Sequence, residues 1–383
     1  MSQLLDPVAH RAAERLSVPF HLPSLPDIDA FLVDARRIVE SGRLSEGPFV
    51  RALEEALRPW VGGHDVVAVS SASDGLIAAL ALTAEPGCEV VIPGYTYLAT
   101  WQAVGWAGMI PVVADVDSRG LLDPAAVEAA ITPRTGAILA VHLTGALASM
   151  ERLRSIADDH GLALVVDAAH AIGARVGEPD SRVFGDIEVV SLGATKQVAA
   201  GEGGGLAIRD PKIVPVARRW ALQGHEPGSM DAIGSGMNLR LSELTGALAL
   251  RQLDGLSAQL DRRAWIRDCY SSAWSGLPLR LSGPAPGERS GLKDQLVWVD
   301  DPAERAPLRE HLAALGVETK PYYDVAIPDL TTFVGRVASA DGARALAGRS
   351  FAVPIYSRLS DAQVERVVNG VCSFFEARGV GRG

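Results

Sequence analysis

Short apolar runs alternate with segments of helical periodicity through the first two thirds of the chain. Of all the features of the sequence, this alternation limits the possible folds most strongly. Most of the runs consist of buried residue types without a polar alternation, as expected for strands whose two sheet faces are both covered. The pattern predicts strands at residues 66–69, 89–92, 111–114, 137–141, 163–166, 187–191 and 205–208. It therefore indicates an α/β fold with a mostly parallel sheet.

Helical periodicity fills the segments between these runs and continues beyond them. Helices are predicted over residues 124–131, with Asp123 as the N-cap, and over residues 150–160. A longer helix is predicted from Ser242 to about residue 267. We divide the chain into residues 1–260 (an N-terminal segment and a large domain) and residues 261–383 (a small α+β domain).

The C-terminal domain has its own pattern. A strand is predicted at residues 295–299 and a helix at residues 302–315, and a final helix is predicted to start near Ser360, which is a suitable N-cap. The stretch 282–291 is rich in proline and glycine. We interpret it as a loop within this domain.

Composition narrows the class of protein. A chain of 383 residues that is 48% hydrophobic can bury a sizeable core, and its net charge of −10 argues against a nucleic-acid-binding surface. The three cysteines lie far apart without CxxC spacing, so neither a disulfide framework nor a metal site is expected. The N-terminus lacks a signal-peptide core, and no apolar run is long enough to span a membrane. These features predict a soluble, cytoplasmic protein.

Three polar residues follow two of the predicted strands. Asp167 ends one apolar run, Ser191 ends another, and Lys196 follows in a loop of small residues. Singly, such an aspartate is usually a turn residue and such a lysine usually lies at the surface. Together they are what pyridoxal 5′-phosphate (PLP) chemistry requires. A lysine amine forms a Schiff base with the cofactor aldehyde, and a carboxylate keeps the pyridine nitrogen protonated.

A phosphate group also has a predicted site. Residues 70–80 end a strand and open an apolar helix, whose N-terminal amides suit an anion. Ser73 could act as the N-cap or as a phosphate ligand, and Ser191 could complete the phosphate site. Aromatic residues in the loop 93–101 could stack on a flat ring or simply pack. The glycines at 201–205 precede a strand, which excludes a dinucleotide motif and favours close passage of the backbone beside the lysine.

An ordered set of motifs resembles a known family. Along the chain they are SSASDGL, EVVIPGYTYLAT, the DVD of residues 115–117, AVHLTG, VVDAAHAIGA, SLGATKQ, GEGGG and NLRLSEL. This set resembles the DegT/DnrJ/EryC1/StrS family of PLP-dependent sugar and cyclitol aminotransferases, over most of the chain and most strongly from about residue 40 to 260. The resemblance implies the aspartate-aminotransferase-like fold (fold type I) and a homodimer with active sites at the interface.

The resemblance also implies roles for single residues near the reacting part of the cofactor. Lys196 matches the Schiff-base lysine, and Asp167 matches the partner of the pyridine nitrogen. His170 lies where the family has a glutamine or histidine near the phenolic oxygen of the cofactor. Tyr97 matches the aromatic residue that stacks on the ring.

The phosphate-holding positions of the family are matched as well. Ala72, Ser73 and Ser191 match positions that hold the cofactor phosphate within one subunit. Asn238 matches an asparagine that reaches the phosphate bound in the neighbouring subunit. The last match would make the dimer a condition for activity.

Substrate residues follow less directly from the sequence. Residues 320–325 read KPYYDV, where the family often has a histidine–tyrosine pair followed by Pro-Leu-His; this region contributes to acceptor binding and includes Tyr323. Arg240 and Lys320 are candidates for binding the donor carboxylate, with a surface role as the alternative for each. Gln197 stands where an asparagine usually follows the lysine.

We therefore expect an aminotransferase that moves an amino group from glutamate or glutamine to a keto group of a sugar, nucleotide sugar or cyclitol, in natural-product or carbohydrate biosynthesis. Lys196 would move the proton and Asp167 would stabilise the protonated ring. Two alternatives stay open. A PLP-dependent dehydratase or other lyase on the same fold typically has histidine in place of the lysine, and a non-catalytic regulatory relative would hold no PLP.

Overall fold

The computed structural model describes residues 18–24, 26–177, 184–226 and 229–379. The strands of its large sheet are β1 (Asp65–Val69), β2 (Glu89–Pro93), β3 (Ile110–Ala114), β4 (Thr135–Val141), β5 (Ala163–Asp167), β7 (Ile187–Ser191), β8 (Gly204–Ile208) and β12 (Arg336–Val337). They are ordered β1-β8-β7-β5-β4-β2-β3-β12. β8 is antiparallel to both neighbours, and the other pairs are parallel. The predicted strands and the mostly parallel sheet are thus confirmed.

Helices and strands alternate along the chain as predicted. The helices are α1 (Ile28–Ser41), α2 (Pro48–Leu57), α3 (Ala72–Thr83), α4 (Leu98–Trp106), α5 (Pro124–Ala130), α6 (Met150–His160), α7 (Val214–Ala221), α8 (Glu243–Leu253), α9 (Leu256–Ala273), α10 (Arg305–Ala314), α11 (Asp341–Ala347) and α12 (Asp361–Glu376). Asp123 caps α5 by accepting a hydrogen bond from the Ala125 amide, as predicted. In the described residues, no helix is long and apolar enough to cross a membrane.

Each face of the large sheet is covered by its own hydrophobic cluster. Along β5, Val165 belongs to one cluster, whereas Leu164 and Val166 belong to the other. Successive side chains of a strand point to opposite faces, so a strand buried on both sides carries apolar residues throughout. This explains why the apolar runs of the sequence show no alternation.

Two predicted helices differ from the structure. The helix predicted from Ser242 to about residue 267 is two helices, because α8 ends at Leu253 and α9 begins after Gly255. The segment predicted as one helix over 302–315 begins with the 3-10 turn Pro302–Glu304, and α10 follows it. Pro307 has no N–H to donate to a carbonyl one turn earlier, which explains why the two pieces do not form one α-helix.

A small antiparallel sheet forms the centre of the C-terminal part. It consists of β9 (Leu279–Leu281), β11 (Gln295–Val299) and β13 (Ser350–Val353), in the order β13-β11-β9. Ser360 caps α12 in a capping box with Gln363, which confirms the predicted start of the last helix.

The two parts of the chain are joined at several places. Helix α9 runs from one hydrophobic cluster to the other, with Leu260 in the cluster of the large sheet and Ile266 in that of the small one. The division at residue 260 lies inside this helix and remains a prediction. β12 belongs to the large sheet although it comes late in the chain, and β10 (Glu288–Arg289) pairs with β6 (Arg175–Val176).

Candidate active site

A cavity of about 320 Å³ lies at the edge of the large sheet where β4, β5 and β7 end. Open α/β sheets bind small molecules at the carboxyl ends of their strands. Eight of the predicted site residues line this cavity: Ala72, Ser73, Tyr97, Asp167, His170, Ser191, Lys196 and Tyr323. The topology therefore brings together residues that are up to about 250 positions apart in the sequence.

Asp167 is a fixed, buried carboxylate at the end of β5. Its Oδ2 accepts a hydrogen bond from Thr100 Oγ1 (3.0 Å), and its Oδ1 accepts one from the Ala169 amide (3.1 Å). Burial raises the pKa of this carboxyl, and the bonds from Ala169 and Thr100, together with the charge of Lys196, oppose that rise. A cationic ring nitrogen beside Asp167 would oppose it further.

Lys196 lies in the loop after β7, where its backbone amide donates to the Gly193 carbonyl (2.9 Å). Burial of the amine lowers the pKa of Lys196 to about 8, and Lys293 lowers it as well, while Asp294 and Asp167 act in the opposite direction. A lysine with such a pKa is partly neutral near physiological pH. It can therefore act as a nucleophile or a base there.

His170 presents a neutral imidazole to the cavity. Burial lowers the pKa of this histidine well below its usual value, and Lys196 adds to the effect. Its Nδ1 accepts a hydrogen bond from the Thr144 amide (3.2 Å), so the proton of the neutral ring is on Nε2. His170 is thus a hydrogen-bond donor at Nε2.

The N-terminus of α3 also borders the cavity. Ser71 caps this helix, since its Oγ accepts a hydrogen bond from the Asp74 amide (3.1 Å). The alternative in which Ser73 is the N-cap is therefore wrong, and the Ser73 hydroxyl does not cap the helix. The first amides of a helix have no partner within it, which leaves those of Ala72 and Ser73 to face an anion.

One of the glycines at 201–205 allows a close contact that the sequence analysis did not predict. A Cβ at Gly204 would lie 2.9 Å from the Ala72 nitrogen and 2.9 Å from the Val190 carbonyl oxygen. β8 therefore needs glycine so that the turn before α3 can pack closely on the sheet. The same segment also passes near the lysine, because Glu202 lines the cavity together with Lys196.

Three predicted residues lie outside the cavity of their own subunit. Asn238 is exposed, and its Oδ1 accepts a hydrogen bond from Arg240 Nε (2.9 Å). Lys320 is 44% exposed and pairs with Glu318 at 3.0 Å. Neither Arg240 nor Lys320 lines the cavity, and their role in binding the donor carboxylate stays a prediction.

Three charged residues that the sequence analysis missed also line the cavity: Glu202, Lys293 and Asp294. Lys293 and Asp294 come directly before the apolar strand β11, and their side chains form a buried ion pair. A charged pair immediately before a buried strand was the signal that could have identified them. Gln197 also gains a role, because its Nε2 donates to the carbonyls of His170 (2.7 Å) and Gly291 (2.8 Å).

The comparison with known families decides the class of this chain. A model of the DegT/DnrJ/EryC1/StrS aminotransferase family matches residues 27–372. The chain belongs to this family. The predicted aminotransferase activity, the fold type and the PLP cofactor are thereby confirmed.

Individual relatives of this aminotransferase cover nearly all of the chain. A dTDP-3-amino-3,4,6-trideoxy-alpha-D-glucose transaminase from Streptomyces venezuelae is 33% identical over 350 residues, which are 89% of this chain and 90% of the relative. The structure of S. venezuelae DesV in complex with a ketimine intermediate is 32% identical with a TM-score of 0.85, over 93% of this chain and 99% of that one. The structure of DesI in the presence of its TDP-sugar product is 31% identical, with a TM-score of 0.84, over 93% and 94% of the two chains.

The residues of the aminotransferase cavity fit PLP. The buried Asp167 carboxylate suits a protonated ring nitrogen, and the helix N-terminus that packs on Gly204 suits a phosphate. The Lys196 amine lies in the same cavity. Among the described residues no group of three or more His, Cys, Asp or Glu side chains could hold a metal ion.

The lowered pKa of Lys196 predicts a pH dependence for covalent PLP attachment. Only the neutral amine reacts with an aldehyde, so the attachment rate of the apoprotein is expected to rise with pH and to level off above a midpoint of about 8. An ordinary lysine would give a midpoint near 10.5. Absorbance after mixing apoprotein with PLP at different pH values measures this rate, and a midpoint near the ordinary value would contradict the prediction.

Proposed function

We propose that this aminotransferase transfers an amino group from glutamate or glutamine to a keto group of a nucleotide sugar. One observation carries the assignment of its catalytic residues: the Lys196 amine, with its lowered pKa, shares one cavity with the buried Asp167 carboxylate. The names of the relatives support the acceptor class, because one is a dTDP-aminosugar transaminase and another was crystallised with a TDP-sugar product.

Bound PLP supplies an electron sink that stabilises negative charge on the carbon next to the transferred nitrogen. Asp167 would hold the proton on the ring nitrogen by an ion pair, and Thr100 fixes the orientation of its carboxylate. His170 would donate from Nε2 to the phenolic oxygen. Tyr97 would stack on the ring, which its exposed position at the start of α4 permits.

The N-terminus of α3 would hold the phosphate of the cofactor. The amides of Ala72 and Ser73 would donate to it from the first turn of this helix, whose dipole favours an anion. The hydroxyls of Ser73 and Ser191 would add further donors. Ser191 Oγ accepts from the Gly193 amide (3.2 Å), which leaves its own proton for the phosphate.

Lys196 would move the proton in both halves of the reaction. Its neutral amine would remove the proton from the α-carbon of the amino donor, and the resulting ammonium would deliver that proton to the C4′ carbon of the cofactor. With the acceptor, the same steps would occur in reverse. Lys196 would then take the proton from C4′ and deliver it to the carbon that carried the keto group. The pKa of about 8 keeps both protonation states accessible.

The visible absorption spectrum of the purified holoenzyme tests this function. The band of lysine-bound PLP should bleach to the pyridoxamine form when glutamate or glutamine is added, and a keto sugar nucleotide should restore it. The product should gain nitrogen, whereas a dehydratase would release a product that has lost water. If no amino acid bleaches the band, the proposed transfer is wrong.

We also propose that the enzyme is a homodimer in which Asn238 of one subunit completes the phosphate site of the other. Asn238 is exposed and lies outside its own cavity, as a residue that serves a second subunit would. The same segment exposes large apolar side chains, with Met230 93% exposed and Ile233 61% exposed. Exposed apolar residues close together in a segment are typical of a surface that a second chain covers.

Mixing two inactive variants is expected to restore activity if the sites are shared. Lys196→Ala and Asn238→Ala each damage every site of their own homodimer. A heterodimer of the two contains one site with both native residues, so unfolding and refolding an equal mixture should give about a quarter of the wild-type activity. Turnover of the mixture measures this. Activity no higher than the mean of the two separate variants would show that Asn238 does not act across subunits.

A further inference from the structure

The cavity contains an ion pair to which the proposed mechanism assigns no role. Lys293 Nζ lies 2.8 Å from Asp294 Oδ1 and 2.9 Å from Oδ2, and the two side chains are only 4% and 6% exposed. The sequence has 36 lysines and arginines, of which four are lysines: Lys196, Lys212, Lys293 and Lys320. Within the described part of the chain, Lys196 and Lys293 are the lysine or arginine residues that line the cavity.

The pair is held in place from several sides. The Lys293 amide donates to the Thr144 carbonyl (3.0 Å), and the buried Arg263 donates from Nη1 to the carbonyls of Leu292 (2.9 Å) and Lys293 (3.3 Å). The Tyr322 ring, which also lines the cavity, lies 5.7 Å from Lys293 Nζ. Residues of both the large and the small part of the chain therefore fix the position of the two charges.

The pair lines the same cavity as the reacting amine. Lys293 and Asp294 each affect the pKa of Lys196 more strongly than Asp167 does, in opposite directions. Burying two charges costs several kcal/mol for each ion, and their attraction often fails to offset this cost, so stability alone gives little reason to keep such a pair. A role in binding explains its position better.

The remaining hydrogen-bonding capacity of the pair suits hydroxyl groups. Lys293 Nζ has three N–H donors, of which two are directed to Asp294, and each carboxylate oxygen can accept further bonds. A hydroxyl group both donates and accepts, so it can bond to either member. Because Asp294 already neutralises Lys293, the pair offers little attraction to the carboxylate of an amino donor.

We propose that Lys293 and Asp294 form the subsite for the acceptor sugar, where they bind hydroxyl groups next to the keto carbon. This inference rests on the proposed nucleotide-sugar function and adds the residues that recognise the sugar. Polar groups of this kind fix the orientation of a ligand in a largely apolar pocket. The pair would thereby bring the keto carbon to the Lys196 amine.

Binding of dTDP-glucose and dTDP to the holoenzyme tests the subsite, because the two ligands differ only in the sugar. By calorimetry, Asp294→Asn is expected to weaken dTDP-glucose binding about 10- to 100-fold, the range for a hydrogen bond to a charged group. It should leave dTDP binding within about threefold. The double variant Lys293→Met with Asp294→Leu should show the same loss, and it removes both charges together so that no buried charge is left unpaired.

Asp186→Asn is the matched control. Asp186 is bonded to Arg154 (3.0 Å) and Arg209 (2.7 Å) and does not line the cavity, so this variant should bind both ligands as the wild type does. The rate at which glutamate bleaches the cofactor band gives a second readout. In the double variant it should stay within about threefold of wild type, because the two removed charges act on the pKa of Lys196 in opposite directions.

Three results would overturn the inference. If the variants bind dTDP-glucose as the wild type does, the pair does not contact the sugar. If the double variant keeps that binding but loses the glutamate reaction, the pair serves the amino donor. If the wild type bleaches with glutamate but binds neither dTDP-glucose nor dTDP, the dTDP-sugar class is wrong. That result is distinguishable from a wild type that bleaches with neither glutamate nor glutamine, which would refute the proposed transfer itself.

Discussion

Exchange of Lys196 for alanine is expected to lower turnover by at least about 10³-fold, since the variant loses both the nucleophile for PLP and the base that moves the proton. The remaining site residues are unchanged, so the variant should still bind PLP without a covalent link. Turnover with glutamate and a keto sugar nucleotide measures the loss. Mass spectrometry after borohydride reduction should find PLP on Lys196 of the wild type and none on the variant.

Lys212→Ala is the control for this experiment. Lys212 is exposed and does not line the cavity, so its removal should leave both turnover and PLP attachment unchanged. Transamination at the wild-type rate by Lys196→Ala would refute the assignment of this lysine. Loss of activity in Lys212→Ala would show that removing a lysine can lower turnover without any change in the cavity.

Exchange of Asp167 for asparagine is expected to slow the reaction with glutamate by about 10²- to 10³-fold, the size of effect seen when one preorganised electrostatic group is removed. Asparagine has nearly the same shape and can still bond to Thr100 and the Ala169 amide, but it carries no charge to hold the ring nitrogen protonated. Stopped-flow absorbance of the cofactor band measures the rate.

The absorption spectrum of the Asp167→Asn variant gives a second test. Asp167→Asn should still attach PLP to Lys196, because the amine is intact, so the loss should fall on the proton-transfer step. The control Asp186→Asn removes a carboxylate far from the cavity and should react at the wild-type rate. A wild-type rate in Asp167→Asn would show that the ring nitrogen needs no charged partner in this enzyme.

The large sheet was predictable because its strands are buried on both faces. Each strand, such as β5 with Leu164, Val165 and Val166, then contains a continuous apolar run that stands out in the sequence. The site followed from the same pattern, since Asp167 and Ser191 directly end two of these runs. Residues at the ends of parallel strands meet in space, so their proximity could be inferred without coordinates.

Other parts of the site depend on contacts that no local pattern encodes. Lys293 enters the cavity because its backbone bonds to Thr144, which is far away in the sequence. Ser71 and Ser73 are chemically identical, and only the backbone geometry at Ser71 decides which of them caps α3. Gln197 differs from the family asparagine by one methylene group, and its bond to Gly291 shows what the longer side chain reaches.

The parallel pairing of β12 with β3 means that the late part of the chain protects the large sheet. Arg336 and Val337 cover backbone groups of Val112 and Val113 that would otherwise form an open strand edge. Open edges promote pairing between molecules. A fragment ending at residue 260 would therefore tend to aggregate even if its own core folded, and the two parts of this enzyme are expected to be soluble only as one chain.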